Sequence, residues 1–245
     1  MLEFKNVDFT YKGAQSPIIR DLSFRVETGS FVSIIGASGS GKTTIFRLLN
    51  GLETIQNGSI EIDGVDIKDL KNYSSYMPQK DLLLPWKTVE KNVMLPMQVQ
   101  KVEKEEQQKR SEEMLKQVGL ESYAKKYPRE LSGGMRQRVA FARTLCAGAN
   151  LLLLDEPFSA LDYITRISLQ EWLADQWIKV NKTVLFITHD VEEAIFLSQK
   201  IYVISDNPIS KIEVYDIPLG FPRSREMLLD SGIQRLKEEL IRKLR

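Results

Sequence analysis

One glycine-rich loop constrains this chain more than any other feature. Gly36-Ala37-Ser38-Gly39-Ser40-Gly41-Lys42-Thr43 follows the strand-like run Phe31 to Ile35 and opens a helical stretch, Thr43 to Asn50, that ends at Gly51. It fits the pattern G-x-x-x-x-G-K-[ST] in the strand–loop–helix setting that the pattern requires. Glycines let backbone wrap closely around a phosphate, so that N–H groups and the positive end of the helix face the anion. The lysine, Lys42, then reaches the β- and γ-phosphates, and the hydroxyl of Thr43 holds Mg²⁺. The plain alternative is a chance glycine-rich loop, and the flanking strand and helix favour the nucleotide.

The elements around this loop predict an α/β chain with a second kind of sheet. Leu2, Phe4, Val7, Phe9 and Tyr11 alternate with a slip near Asn6, and Leu22, Phe24 and Val26 alternate more regularly. Ile60 and Ile62, then Val65 and Ile67, flank Asp63-Gly64, a hairpin signal. Thr88 to Gln137 reads as helical, and Glu103 to Glu113 as a solvated helix face. Leu151 to Leu154 and Thr183 to Thr188 read as buried parallel strands, joined by a crossover helix over Asp162 to Val180. Ile164, Ser168, Trp172 and Gln176 form one line of that helix, with Leu161, Thr165, Leu169 and Leu173 beside it. A helix from Val191 to Ser198 leads to a strand from Ile201 to Ser205. Alternating strands and helices imply a parallel sheet.

A second motif adds chemistry. Leu151 to Leu154 runs into Asp155-Glu156-Pro157. A carboxylate at the C-terminal end of a strand can hold Mg²⁺ or its water, the role read for Asp155. Its neighbour Glu156 points elsewhere and can orient or deprotonate an attacking water, a hydrolytic arrangement. Otherwise Asp-Glu-Pro merely starts the next segment. A GTPase would need Asn-Lys-x-Asp, and Asn181-Lys182-Thr183-Val184 puts valine where the aspartate belongs. A small nucleotide kinase remains as a non-hydrolytic alternative.

Composition narrows the class. Lys plus Arg is 34 and Asp plus Glu is 33, a net charge of +1, without the basic excess of a general nucleic-acid binder. No apolar run approaches the roughly 20 residues of a transmembrane helix, and no signal peptide is read after Met1. The single cysteine, Cys146, excludes an internal disulfide and is expected in the core; the single histidine, His189, must carry any imidazole chemistry. Arg136, Arg138 and Arg143 read as solvated or paired. Ile233, Leu236, Leu240 and Leu244 form a helical stripe expected to dock on this chain.

Leu131-Ser132-Gly133-Gly134-Met135 stands between the two motifs, ahead of a helix read from Arg136 to Ala147. Ser132 reads as its N-cap, a second anion site at a helix N-terminus. With this segment in place, nearly the whole chain resembles the ATP-binding cassette of ABC transporters. Tyr11 matches the aromatic that stacks on adenine, Gly36 to Thr43 the Walker A loop (with Thr44 beside it), and Gln79 the Q-loop glutamine that touches Mg²⁺. Leu131 to Met135 matches the signature, with Met135 where glutamine is usual. Asp155 and Glu156 match Walker B and its catalytic glutamate, Ser159-Ala160-Leu161-Asp162 the D-loop, and His189 the switch histidine.

The resemblance implies a RecA-like P-loop core with an antiparallel β-subdomain and an inserted helical subdomain. Core and β-subdomain would take residues 1–86 and 137–215, the helical subdomain 87–136, and the cassette as a whole 1–230, with a C-terminal helical extension over 216–245. It implies catalytic roles for Glu156, His189 and Gln79, and metal roles for Thr43, Gln79 and Asp155. ATP would contact Tyr11, the loop from Gly36 to Thr44, and Ser132, Gly133 and Gly134 of a second copy. Leu82-Leu83-Leu84-Pro85-Trp86 and Phe221-Pro222-Arg223-Ser224-Arg225 resemble the importer branch for nitrate, sulfonates, taurine and pyrimidine precursors. A membrane permease, an extracytoplasmic solute-binding protein and a place on the cytoplasmic face of the membrane follow from that branch. The rival is a soluble cassette ATPase of repair or translation type; the first carries long coiled-coil insertions and the second usually two cassettes, and neither feature is present.

Overall fold

The computed structural model describes residues 1–244. Strands β1 (Leu2–Phe9) and β2 (Ile19–Val26) pair antiparallel. The slip near Asn6 is a bulge: the pairing shifts between Phe4 and Val7, and Asn6 sits at φ +49°. That kink returns Val7 to the buried face with Phe4 and Phe9. Strand β3 (Phe31–Gly36) leaves this sheet and feeds α1 (Lys42–Leu49) through the glycine-rich loop. Strands β4 (Asn57–Ile62) and β5 (Val65–Asp66) then complete a four-stranded antiparallel sheet of order β2-β1-β4-β5. Asp63 and Gly64 both have positive φ, +50° and +80°, as a two-residue hairpin turn requires.

The second sheet is assembled from distant segments. Strand β6 (Ser74–Met77) precedes helices α2 (Val89–Val99), α3 (Lys104–Gln117) and α4 (Gly133–Cys146). After them come β7 (Leu151–Asp155), α5 (Tyr163–Val180), β8 (Thr183–Ile187), α6 (Val191–Leu197), β9 (Lys200–Ile204), β10 (Glu213–Asp216) and α7 (Ser231–Lys243). The six strands lie in the order β10-β9-β3-β8-β7-β6, parallel except for β10.

Alternate residues of the same strands feed two cores. Phe31, Leu152, Leu154, Phe186 and Val203 point into one, with α2 through α7. Val32, Ile34, Leu153, Leu185 and Ile204 point into the other, which α1 and the antiparallel sheet cover. Both faces of the parallel sheet are therefore dry, and β3 and β7 are buried at every position.

Several expectations change. The buried stripe of α5 is Leu169, Leu173, Ala174 and Trp177, whereas Ile164 is exposed beside Tyr163 and Ser168 also faces out. Helix α4 starts at Gly133 rather than Arg136, because the Ser132 hydroxyl accepts the Met135 N–H and Gly134 packs against the backbone of Ala160 and Leu161. It runs unbroken across the boundary expected at 136/137. Asp216, expected to open the extension, closes β10. The C-terminal stripe docks as expected, with Ile233 and Leu240 buried and Leu236 and Leu244 packed on the same core. Cys146 is buried, and burial pushes its thiol up to about 11.

Candidate nucleotide-binding site

Strand order alone brings the motif residues together. The glycine-rich loop follows β3, His189 follows β8, Asp155 and Glu156 end β7, and Gln79 follows β6. These four strands are neighbours, in that order, and all release their chains at the same edge. Ligands of open α/β sheets bind at such an edge. The cleft there has a volume of about 600 Å³ and is lined by Tyr11, Gly36, Ser38, Gly39, Gly41, Lys42, Thr43, Thr44, Gln79, Asp155, Glu156 and His189. Ala37 and Ser40 belong to the loop without lining the cleft.

The loop is built around the lysine. Lys42 Nζ donates to the carbonyls of Gly36 and Ala37 at 2.8 Å each, and Ser40 Oγ lies 3.5 Å away. Burial holds its ammonium below the usual lysine range, against the opposing pull of Glu156 and Asp155. Gly41 caps α1 at φ +94°, and a Cβ there would sit 2.8 Å from Ile18 and 2.9 Å from Ile209. Both the backbone angle and the space demand glycine.

The acidic wall sits opposite. Thr43 Oγ1 donates to Asp155 Oδ2 at 2.9 Å. Burial raises the Asp155 carboxyl to about 6, despite that hydrogen bond. No group of three or more His, Cys, Asp or Glu among the described residues could hold a metal alone. The donors that do converge, the Thr43 hydroxyl and the Asp155 carboxylate, are hard oxygens with room left for phosphate oxygens and water. That set fits Mg²⁺ brought in with a nucleotide, and its charge would offset the desolvation felt by Asp155.

Glu156 occupies the middle of the group. Its Oε2 accepts from Gln79 Nε2 at 3.0 Å, and its Oε1 lies 3.5 Å from His189 Nδ1. Its backbone is left-handed, φ +48°, which is uncommon outside glycine and costs on the order of 1–3 kcal/mol. Four bonds hold that turn: the Glu156 N–H donates to Ile187 O at 2.9 Å, and Glu156 O accepts from Gln137 Nε2 at 3.1 Å, Ser159 Oγ at 3.0 Å and the Ser159 N–H at 3.3 Å. Strain clamped in this way at a cleft is a mark of a working residue. Gln137 escaped the sequence reading. It also bonds Ser159 Oγ and the Ala160 N–H, tying α4 to the segment Ser159–Asp162. Tyr76 was missed as well; it stands in β6 near Asp155, and burial lifts its phenol to about 12. A lone glutamine on a helix and a tyrosine in an unrecognised strand carry no spacing signal.

Tyr11 forms the side of the cleft. Its hydroxyl is 3.1 Å from Thr44 Oγ1, and its ring meets Phe9 edge-on at 4.8 Å. The contact with Phe9 fixes the ring without enclosing it, and the residue stays half-buried. Tyr11→Ala is expected to weaken ATP binding by roughly 1–3 kcal/mol, the range for base–aromatic stacking. Tyr11→Phe should change little, and GTP should compete measurably, because a ring face reads any base. Titration with both nucleotides checks this, and equal affinity for Tyr11→Ala would remove the stacking role.

Ser132, Gly133 and Gly134 do not line this cleft. They sit at the start of α4, where Ser132 and Gly133 are exposed. Arg143 takes the paired alternative: it donates to the carbonyls of Asp81 and Leu82 at 2.7 and 2.8 Å, while Arg136 Nε pairs with Asp81 Oδ2 at 3.0 Å. Arg138 donates to Val118 O at 2.9 Å. Helix α4 is thus bolted to the segment that follows Gln79.

A phosphate loop, an acidic strand end and a histidine on adjacent strands of a RecA-like sheet, with a helical insertion, define a P-loop ATPase cassette. Residues 19–159 match the ABC transporter family, and the chain belongs to it. It is 40% identical over 226 residues to the formylaminopyrimidine import ATP-binding protein ThiZ of Halalkalibacterium halodurans, covering 92% of this chain and 88% of that one. It is 41% identical to the nitrate import ATP-binding protein NrtD of Synechocystis sp., over 84% of this chain and 79% of that one. It is 40% identical to the taurine import ATP-binding protein TauB of Escherichia coli, over 91% and 86%. Among solved structures, the dimeric post-hydrolysis state of the ATP-binding cassette MJ0796 bound to ADP and Pi superposes with a TM-score of 0.81 at 31% identity, covering 90% of this chain and all of that one.

Proposed function

We propose that this chain is the ATP-binding and hydrolysing subunit of an ABC importer. The observation that carries the mechanism is a separation: the cleft holds the phosphate loop and the acidic wall, while the signature residues Ser132, Gly133 and Gly134 present their backbone elsewhere. Two copies related by a two-fold axis would each lend a signature to the other's ATP, closing two shared sites. Asp155 and Thr43 would hold Mg²⁺ with help from Gln79. Glu156 would orient and deprotonate water, and His189 would contact the γ-phosphate. Closure and reopening of the pair would then drive a membrane partner. The subdomain limits given above follow the same reading.

No helix among the described residues is long and apolar enough to cross a membrane. As an import ATP-binding subunit like its relatives, the chain would act from the cytoplasmic face on a separate permease, supplied by an extracytoplasmic solute-binding protein that selects a small solute. The near-neutral charge and the import relatives favour this over a soluble repair or translation ATPase.

The docking patch lies after Gln79. Leu83 is buried, whereas Leu82 and Trp86 are 60% and 70% exposed. Leu82 is held at φ +44° with its carbonyl pinned by Arg143. An exposed tryptophan is a common anchor of protein interfaces. Trp86→Ala is expected to leave the fold and ATP binding intact while losing the membrane partner and partner-stimulated hydrolysis. Co-purification with the permease checks it. A multi-span membrane protein retained by Trp86→Ala at wild-type yield would reject this patch, and co-purified ribosomes or DNA would reject the importer reading.

A further inference from the structure

Glu193 is a buried acid that the mechanism above does not use. Glu193, on α6, is only 6% exposed. Thr188 Oγ1, at the end of β8, donates to its Oε2. Gln170 Nε2, on α5, donates to its Oε1 at 2.5 Å. The Thr188 hydroxyl in turn accepts the Asp190 N–H at 3.0 Å, across His189. Asp190 caps α6 by accepting the N–H groups of Glu192 and Glu193. On the far side, Arg225 of the C-terminal segment donates to Gln170 Oε1 at 2.5 Å. Its guanidinium also lies 3.8 Å from the ring centroid of Phe196.

The polarity of the Arg225–Gln170–Glu193 part of this chain is forced. A guanidinium only donates, so Gln170 must turn its carbonyl to Arg225 and its amide N–H to Glu193. Glu193 Oε1 therefore faces a donor, and its Oε2 accepts from the Thr188 hydroxyl. Burial lifts the carboxyl above its ordinary range, opposed by the bonds from Thr188 and Gln170 and by Arg166, while Asp190 adds to the rise. With its hydrogen spent on Glu193, the Thr188 hydroxyl offers lone pairs to the Asp190 N–H. That closes the turn from which His189 projects.

We infer that Glu193 is a positioning residue for His189, and that Arg225 sets the polarity of the hydrogen-bond chain through Gln170, tying the C-terminal segment to the γ-phosphate side of the cleft. The inference rests on the reading that His189 serves hydrolysis. It needs no contact between Glu193 and nucleotide.

The polarity gives the test. In Glu193→Gln, one acceptor replaces two. If the new amide accepts from Thr188, its NH₂ faces Gln170, which must turn over and aim its own NH₂ at Arg225. Donor then opposes donor. Arg225→Met removes that conflict and keeps a stem over Phe196. Full-length chain with Mg²⁺ and ATP is assayed for kcat and KM. Glu193→Gln is expected to lower kcat roughly ten- to a hundredfold with KM held within about twofold, since only positioning is lost. Adding Arg225→Met should recover a large part of kcat, which a purely destabilising pair of changes would not do. Wild-type kcat in Glu193→Gln, or no recovery in the double variant, overturns the inference while His189→Ala remains slow. Wild-type hydrolysis by His189→Ala overturns the role of His189 and the inference with it. Should Glu193→Gln fail to fold, Thr188→Val takes its place: slow turnover at unchanged KM supports the inference, and wild-type kcat overturns it.

Discussion

Glu156→Gln is expected to stop turnover and leave nucleotide binding in place. Glutamine keeps the shape of the side chain and an oxygen for the Gln79 amide, which donates across 3.0 Å. It loses the carboxylate that, on the proposed mechanism, takes a proton from water as the γ-phosphate is attacked. General-base losses of this kind are typically a factor of about 10²–10⁴ in rate. Removing a negative charge beside the phosphates also relieves repulsion, so ATP should bind at least as tightly. Two copies should then remain closed around ATP, seen as a dimer in size-exclusion chromatography with ATP and a monomer with ADP. Hydrolysis within a few-fold of wild type would refute the assignment of Glu156. Retention of the side chain's geometry makes this substitution a sharper test than alanine, which would also remove the contacts to Gln79 and His189.

The site was legible in the sequence because its elements announce themselves locally. A short, largely apolar run before a glycine-rich loop reads as a buried strand releasing its chain at an edge, and Leu151–Leu154 before Asp155 repeats that grammar. Tertiary terms account for the rest. Ser74–Met77 is short and half polar, yet pairing with β7 makes it a strand and brings Tyr76 beside Asp155. Glu213–Asp216 exposes Val214 at the sheet edge, so its alternation is inverted. Gly133 and Gly134 read as loop by propensity, but the cap at Ser132 and the close approach of Ala160 pull them into α4. Ile164 follows helical spacing and still faces outward, next to the exposed Tyr163 and the segment Ser159–Asp162. Periodicity marks a stripe without saying which neighbour covers it. Arg143 read as solvated or paired, and its partners are carbonyls more than sixty residues earlier in the chain, 61 and 62 positions away. No local pattern encodes that pairing.

Lys42→Ala should act on the step before chemistry. The ammonium lies inside the loop, held 2.8 Å from the carbonyls of Gly36 and Ala37, with Asp155 and Glu156 near enough to pull on its charge. Phosphate would compete for those same donor hydrogens, so the lysine is already placed and little ordering is needed on binding. Charge-assisted hydrogen bonds contribute about 1.5–3 kcal/mol each, so ATP affinity should fall by roughly ten- to a hundredfold or more. Alanine suits the first turn of α1, and the two released carbonyls can turn to water at the cleft. The melting temperature without nucleotide should therefore barely move. The difference appears on adding MgATP. A wild-type chain at a ligand concentration of about a hundred times Kd gains about 2.7 kcal/mol, and the variant at that same concentration should gain far less. Thermal melts with and without MgATP thus separate lost binding from lost fold, and set this variant apart from Glu156→Gln, which should melt higher with ATP than without. Equal MgATP stabilisation of wild type and Lys42→Ala would mean that the loop does not hold the phosphates through its lysine.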